Sequence, residues 1–165
     1  AESIETALLR VDSANSQARM ELGVTCSKIS EMLLRLGDFA GAEQARSRDL
    51  LLSGRLLKDD PASSAYRRML AYSLLRMGGL MRSENRTGEA RRYFLREVEV
   101  LRPIEKEPDD RTRRRLLDGY RNLGEIAGDP RLATSYLNRA LTIAVALPDP
   151  TSADAIRQTL RKLSR

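Results

Sequence analysis

Three groups of residues in this sequence have types and spacings that could do chemistry. The first is a basic run, Arg111-Thr112-Arg113-Arg114-Arg115, joined in the same central stretch by Arg67, Arg68, Arg91, Arg92 and Arg121. Clustered guanidinium groups are the minimum that phosphate contacts require. The second is two acid pairs, Asp59-Asp60 and Asp109-Asp110, which could offer paired carboxylates to a metal ion. Both pairs sit beside a proline where a helical pattern ends or begins, so capping and turn formation are their expected roles. The third is "MGGL" at 77–80, whose adjacent glycines could cradle a phosphate. Those glycines fall inside a helical pattern, where a missing side chain instead permits close packing.

Nothing else supports catalysis. The sequence contains no G-x-x-x-x-G-K-[ST], no G-x-G-x-x-G and no G-x-S-x-G pattern. Histidine is absent, and the single cysteine, Cys26, rules out an internal disulfide or a multi-cysteine metal site. The chain is therefore read as noncatalytic, with no cofactor and no metal.

The elements that must position these residues follow from composition and repetition. Hydrophobic residues make up 41% of the 165 positions but aromatics only 4%, with no Trp. A core built mainly from Leu, Ala, Met and Ile favours close-packed helices over a β-sandwich. "DSANSQARMEL" (12–22) aligns with "DPASSAYRRML" (60–70) and, one residue shorter, with "EPDDRTRRRL" (107–116). The alignment continues through "LGVTCSKISEML", "LAYSLLRMGGLM" and "LLDGYRNLGEIA", so Leu22, Leu70 and Leu116 mark a period of 48 and then 46 residues. Such a period signals a helical repeat array.

Each repeat reads as two antiparallel helices, A and B. The pairs are expected at about 16–36 with 40–58, 63–83 with 87–106, and 111–127 with 130–147. The joints between A and B are "GDFAGAEQA" (37–45), "NRTGEARRY" (85–93) and "GDPRLATSY" (128–136), and the third has lost three residues. Residues 2–11, with Ile4, Leu8 and Val11, read as the end of a preceding repeat. Residues 152–164 read as a capping helix with Ile156, Leu160 and Leu163 on one side after a Thr151-x-x-Asp154 capping box. The domain plan is a single array over 1–165: 1–15, 16–61, 62–108, 109–150 and 151–165. The opening "AESIETALLRVDSANS" has no signal-peptide pattern, and the chain is expected to be part of a longer, cytoplasmic protein. No apolar run reaches the length needed to span a bilayer, so no membrane partner is expected.

With these residues in place, the chain resembles the tetratricopeptide repeat family. The small residue of helix A is Ser30, Gly78 and Gly124, preceded by the bulky Ile29, Met77 and Leu123. The turn residue is Gly37 and Gly128, with Asn85 in the second pair, and the small residue of helix B is Ala42, Ala90 and Ala133. Cys26 takes the position of Leu74 and Tyr120, which makes it a buried small hydrophobe. Two departures stand out: the period exceeds the family's 34 residues, and the later small residue of helix B, Ala140, is Asp49 and Glu97 in the other repeats. The long period and the "D-P-A" before a pair resemble arrays attached to bacterial serine/threonine kinases.

The resemblance implies an all-α, right-handed superhelix of about three pairs plus flanking helices, with the A helices lining a concave groove. The groove residues it implies are Lys28 and Glu31, then Tyr72 and Arg76, then Asp118, Arg121, Asn122 and Glu125, with Lys28, Arg76 and Asn122 in one column. The implied function is a protein-interaction scaffold that binds a peptide or protein segment, an acidic one included, within a bacterial signalling protein. Two alternatives remain open: polyanion or nucleic-acid binding through the Arg-rich middle, and self-association that regulates an attached catalytic domain. Residues 61–125 hold 15 Lys/Arg against 10 acids. Those acids dilute the positive field, and stacking aromatics are few, so nucleic acid is the less favoured partner.

Overall fold

The computed structural model describes residues 16–106, 108–148 and 151–163. The reading of 1–15 as the end of a preceding repeat lies outside these residues. The described residues form seven α-helices and no strand: α1 (Ser16–Arg35), α2 (Phe39–Asp59), α3 (Ser64–Ser83), α4 (Thr87–Leu101), α5 (Asp110–Glu125), α6 (Pro130–Val145) and α7 (Thr151–Leu163). The fold is all-α, as the composition predicts. No helix among the described residues is long and apolar enough to cross a membrane. The chain divides into two compact units at Ser73/Leu74, inside α3.

In the first unit α1 and α2 form an antiparallel pair. Arg19, near the start of α1, forms an ion pair with Asp59 at the end of α2. The turn between them has a specific cause. Gly37 adopts φ +78°, its N–H donates to the Leu34 carbonyl, and the Asp38 N–H donates back to Leu33 at 2.9 Å. This pair of bonds satisfies carbonyls that the helix end would leave open, and the left-handed φ is one that glycine adopts without strain. The Asp38 side chain then accepts from the Gly41 N–H at 2.8 Å and starts α2.

The second joint repeats this geometry with another residue. Asn85 takes φ +59°, donates to Arg82, and the Arg86 N–H donates to Met81 at 2.8 Å. The third joint differs from expectation. Gly128 has no left-handed φ; α6 is opened instead by Asp129, which accepts from the Arg131 N–H at 2.8 Å, and by Pro130 in the first helical turn. With three residues fewer, the chain turns through a fixed-φ proline and an aspartate cap rather than a glycine.

The B helix of the second pair also ends earlier than its pattern suggests. α4 stops at Leu101 and runs into a 3₁₀ turn, Arg102–Ile104, that contains Pro103. Proline has no N–H for an α-helical bond and crowds the preceding turn, so the tighter turn takes over. Asp109 then caps α5 by accepting from the Thr112 N–H at 2.7 Å.

Within each pair one contact recurs at the same repeat position. Ser30 on α1 meets Arg46 on α2, Gly78 on α3 meets Phe94 on α4, and Gly124 on α5 meets Leu137 on α6. A methyl added at Gly78 would lie 2.5 Å from the Phe94 ring, and one at Gly124 would lie 2.7 Å from Leu137 Cγ. The small residue on helix A is therefore the slot for a long side chain of helix B. Ala42, Ala90 and Ala133, one turn earlier on each B helix, are all buried. The other glycine of "MGGL", Gly79, has open space beside it.

α7 packs on α6 through Ala153 and Ile156, with Leu160 half-buried. Leu163, expected on the same stripe, is 40% exposed. The buried stripe starts one turn earlier, at Ala153. Asp154, the expected capping-box acid, accepts from Arg157 at 2.8 Å.

Candidate interaction face

The outward-facing residues of the A helices are the sequence-derived candidates, and the structure gives them different surroundings. In the first unit Lys28 and Glu31 stand exposed on α1, one turn apart, beside the exposed Val24 and the half-buried Ser27. The i, i+3, i+4, i+7 spacing puts all four on one stripe of the helix. Tyr72 on α3 is 37% exposed. Three further apolar side chains, Met32, Leu36 and Phe39, are exposed around the first joint.

In the second unit the candidates are drawn into a network. Arg82, near the end of α3, reaches across to the end of α5. Its Nη1 donates to Asn122 Oδ1 at 2.9 Å and to Glu125 Oε2 at 2.8 Å. Both partners lie near the C-terminal end of α5, as Arg82 lies near that of α3. Asn122 is only 7% exposed, and its amide oxygen is taken by this bond. Arg121 approaches Glu125 at 3.8 Å and Asp118 at 3.5 Å, and Arg115 lies 3.8 Å from Asp118. Burial pushes the Asp118 carboxyl up, against the pull of Arg121, Arg115 and Arg114. Arg76 is half-buried on α3.

The equivalent column of Lys28, Arg76 and Asn122 therefore holds three different environments: exposed, half-buried and buried. Arg82 was not among the candidates. Its signal was present, because Arg76, Gly79 and Arg82 follow at i, i+3 and i+6 on one face of α3. What the pattern does not carry is how far a guanidinium can reach towards a neighbouring helix.

The basic run is partly neutralised along its own helix. Arg113 pairs with Asp110 at 2.9 Å and Arg115 with Asp118, whereas Arg111 and Arg114 are exposed. Both acid pairs work in helix ends and ion pairs. Asp60 accepts from the Ala62 N–H at 3.2 Å, Asp109 caps α5, and Asp59 and Asp110 pair with arginines. No cluster of three His, Cys, Asp or Glu side chains occurs among the described residues. Cys26 is buried in the first pair.

A shallow depression of about 580 Å³ lies at the second joint, lined by Asn85, Arg86, Thr87, Gly88, Glu89 and Arg92. It is closed on itself electrostatically. Arg86 donates twice to Glu89, at 2.7 Å each, and those bonds hold the Glu89 carboxyl below its usual range. In the third pair, Tyr120 accepts from Arg139 at 3.2 Å and its ring lies 6.4 Å from that of Tyr136, so this aromatic cluster is internal packing. No family model matches the sequence, and no curated protein matches it.

Proposed function

We propose that this chain is a noncatalytic interaction scaffold of tetratricopeptide type, holding a peptide or protein segment against its A helices. The observation that carries the reading is the recurring slot, Ser30–Arg46, Gly78–Phe94 and Gly124–Leu137, which commits one side of each A helix to its B helix. On the opposite side of α1, Val24, Lys28 and Glu31 are exposed. Charged and apolar groups alternate there, as a surface that reads both backbone and side chains of a segment would need. Asn122 and Glu125 then act mainly by holding Arg82 of α3 to α5, Asp118 and Arg121 pair along α5, and the partner contact falls on Lys28, Glu31 and Tyr72. The proposal extends to a module of a larger, cytoplasmic bacterial signalling protein.

The test begins with random peptides selected on the 165-residue chain. The selected peptides are then measured against a Lys28→Glu/Glu31→Lys/Tyr72→Ala variant. A loss of roughly tenfold or more in affinity, about 1.4 kcal/mol, supports the reading. Unchanged affinity removes this face from it. The exposed Arg91, Arg92, Arg111 and Arg114 favour a polyanion as the second reading. That reading predicts retention of a nucleic-acid homopolymer with an affinity that falls steeply as salt rises.

A further inference from the structure

Glu97 stands at the repeat position that Ala140 fills in the third pair. It is 0% exposed, on the same buried stripe of α4 as Phe94, Val98 and Leu101. Neither of its carboxyl oxygens meets a hydrogen-bond donor among the described residues. The side chain lies against Gly119 on α5. A methyl at Gly119 would sit 3.3 Å from both Glu97 Cδ and Oε2, and 2.9 Å from Val98 Cγ2. The missing side chain at 119 is thus what admits the carboxyl to the seam between α4 and α5.

A bare carboxylate in such a place has lost its water and gained no donor, which strongly favours the neutral acid. We propose that the α4–α5 seam is a proton-operated joint, closed while the Glu97 carboxyl carries its proton and loosened when that carboxyl ionises. Burial pushes the Glu97 carboxyl well above its ordinary range. Among the described residues, the charged groups that act on it are both on α5: Asp118 adds to the rise and Arg115 opposes it. Asp118 is itself paired with Arg115 and Arg121, so of the two acids it is the one equipped to stay charged. The joint works in the same way whatever the chain binds.

The direction follows from which form holds the proton. The closed seam keeps it at pH values where an exposed glutamate has released it. The seam is therefore tightest below the ordinary glutamate value of 4.5, and it loosens as pH rises towards the raised one. Across that window the opening constant rises by up to about tenfold per pH unit.

Amide hydrogen exchange on the full chain, corrected for intrinsic rates from about pH 5 to pH 9, compares wild type with Glu97→Gln. Glutamine keeps the shape of the protonated acid and has nothing to titrate. In wild type, protection of α4 and α5 amides should fall with pH by up to about tenfold per unit, while α1 and α2 do not follow. In Glu97→Gln that slope should shrink to what Asp118, also raised by burial, contributes. A wild type without the slope, or equal slopes in both proteins, overturns the proposal. Should Glu97→Gln not fold, the NMR titration of the Glu97 side-chain carboxyl in wild type decides. A midpoint well above 4.5 upholds the joint, and one near 4.5 overturns it.

Discussion

In the first helix pair the inner contact is a guanidinium on a hydroxyl; in the second it is an aromatic ring on bare backbone. Arg46, 8% exposed, donates from Nε to Ser30 Oγ at 2.8 Å. Phe94 lies over Gly78 at the same repeat position, fully buried. The two pairs therefore repeat a shape, small on helix A against long on helix B, without repeating a chemistry. A shape can be met by any residue of suitable length, but the energy it contributes depends on what fills it. A polar contact returns little beyond the water it displaces, whereas a ring seated on a glycine removes apolar surface outright.

Phe94→Ala should break the second pair hardest. It removes a wholly buried ring and leaves a cavity against Gly78, at a cost of about 3–5 kcal/mol in denaturant unfolding. Arg46→Ala in the first pair should cost less, about 1–3 kcal/mol, because it removes a polar contact rather than a ring and leaves the buried Ser30 hydroxyl short of a donor. If the two costs come out reversed, the slot is not the unit of packing that the comparison makes it.

The joints sharpen the same contrast on a smaller scale. Gly37→Ala meets no neighbouring atom, so its cost is backbone strain alone, about 1–2 kcal/mol in the same measurement. At the second joint Asn85 already tolerates the left-handed turn, and Asn85→Gly should stabilise the chain by about 0.5 kcal/mol. A loss of stability there would mean that the asparagine side chain contributes something the turn geometry does not require.

The helix pairs, their joints and the small-residue positions were legible in the sequence because each rests on local rules. Period, capping and the need for a small side chain at a close approach all act within a few residues. Most of the misses come from interactions between distant positions. Asn122 looked like a surface amide because its helix position faces away from α6, and it is buried with its amide oxygen bonded to Arg82, 40 residues earlier. Leu163 fitted an apolar stripe, but where that stripe stops being covered depends on the length of the neighbouring helix. Pro103 was a local signal that the longer pattern overrode on paper and not in the fold. Glu97 was visible as a departure at an alanine position. Its partner Gly119 was not, because the two meet across a seam between repeats rather than inside one.

That last distinction bears on how such an array can grow or be rearranged. The slots inside the pairs are portable: a duplicated segment carries both Gly78 and Phe94 with it. The seam is not portable, because Glu97 travels with the second pair and Gly119 with the third. A second copy of residues 62–108, placed after the first, would set the first copy's Glu97 against Ser73, which holds the repeat position of Gly119. The repeats look like interchangeable beads, yet the second and third meet through a pair that neither of them carries alone.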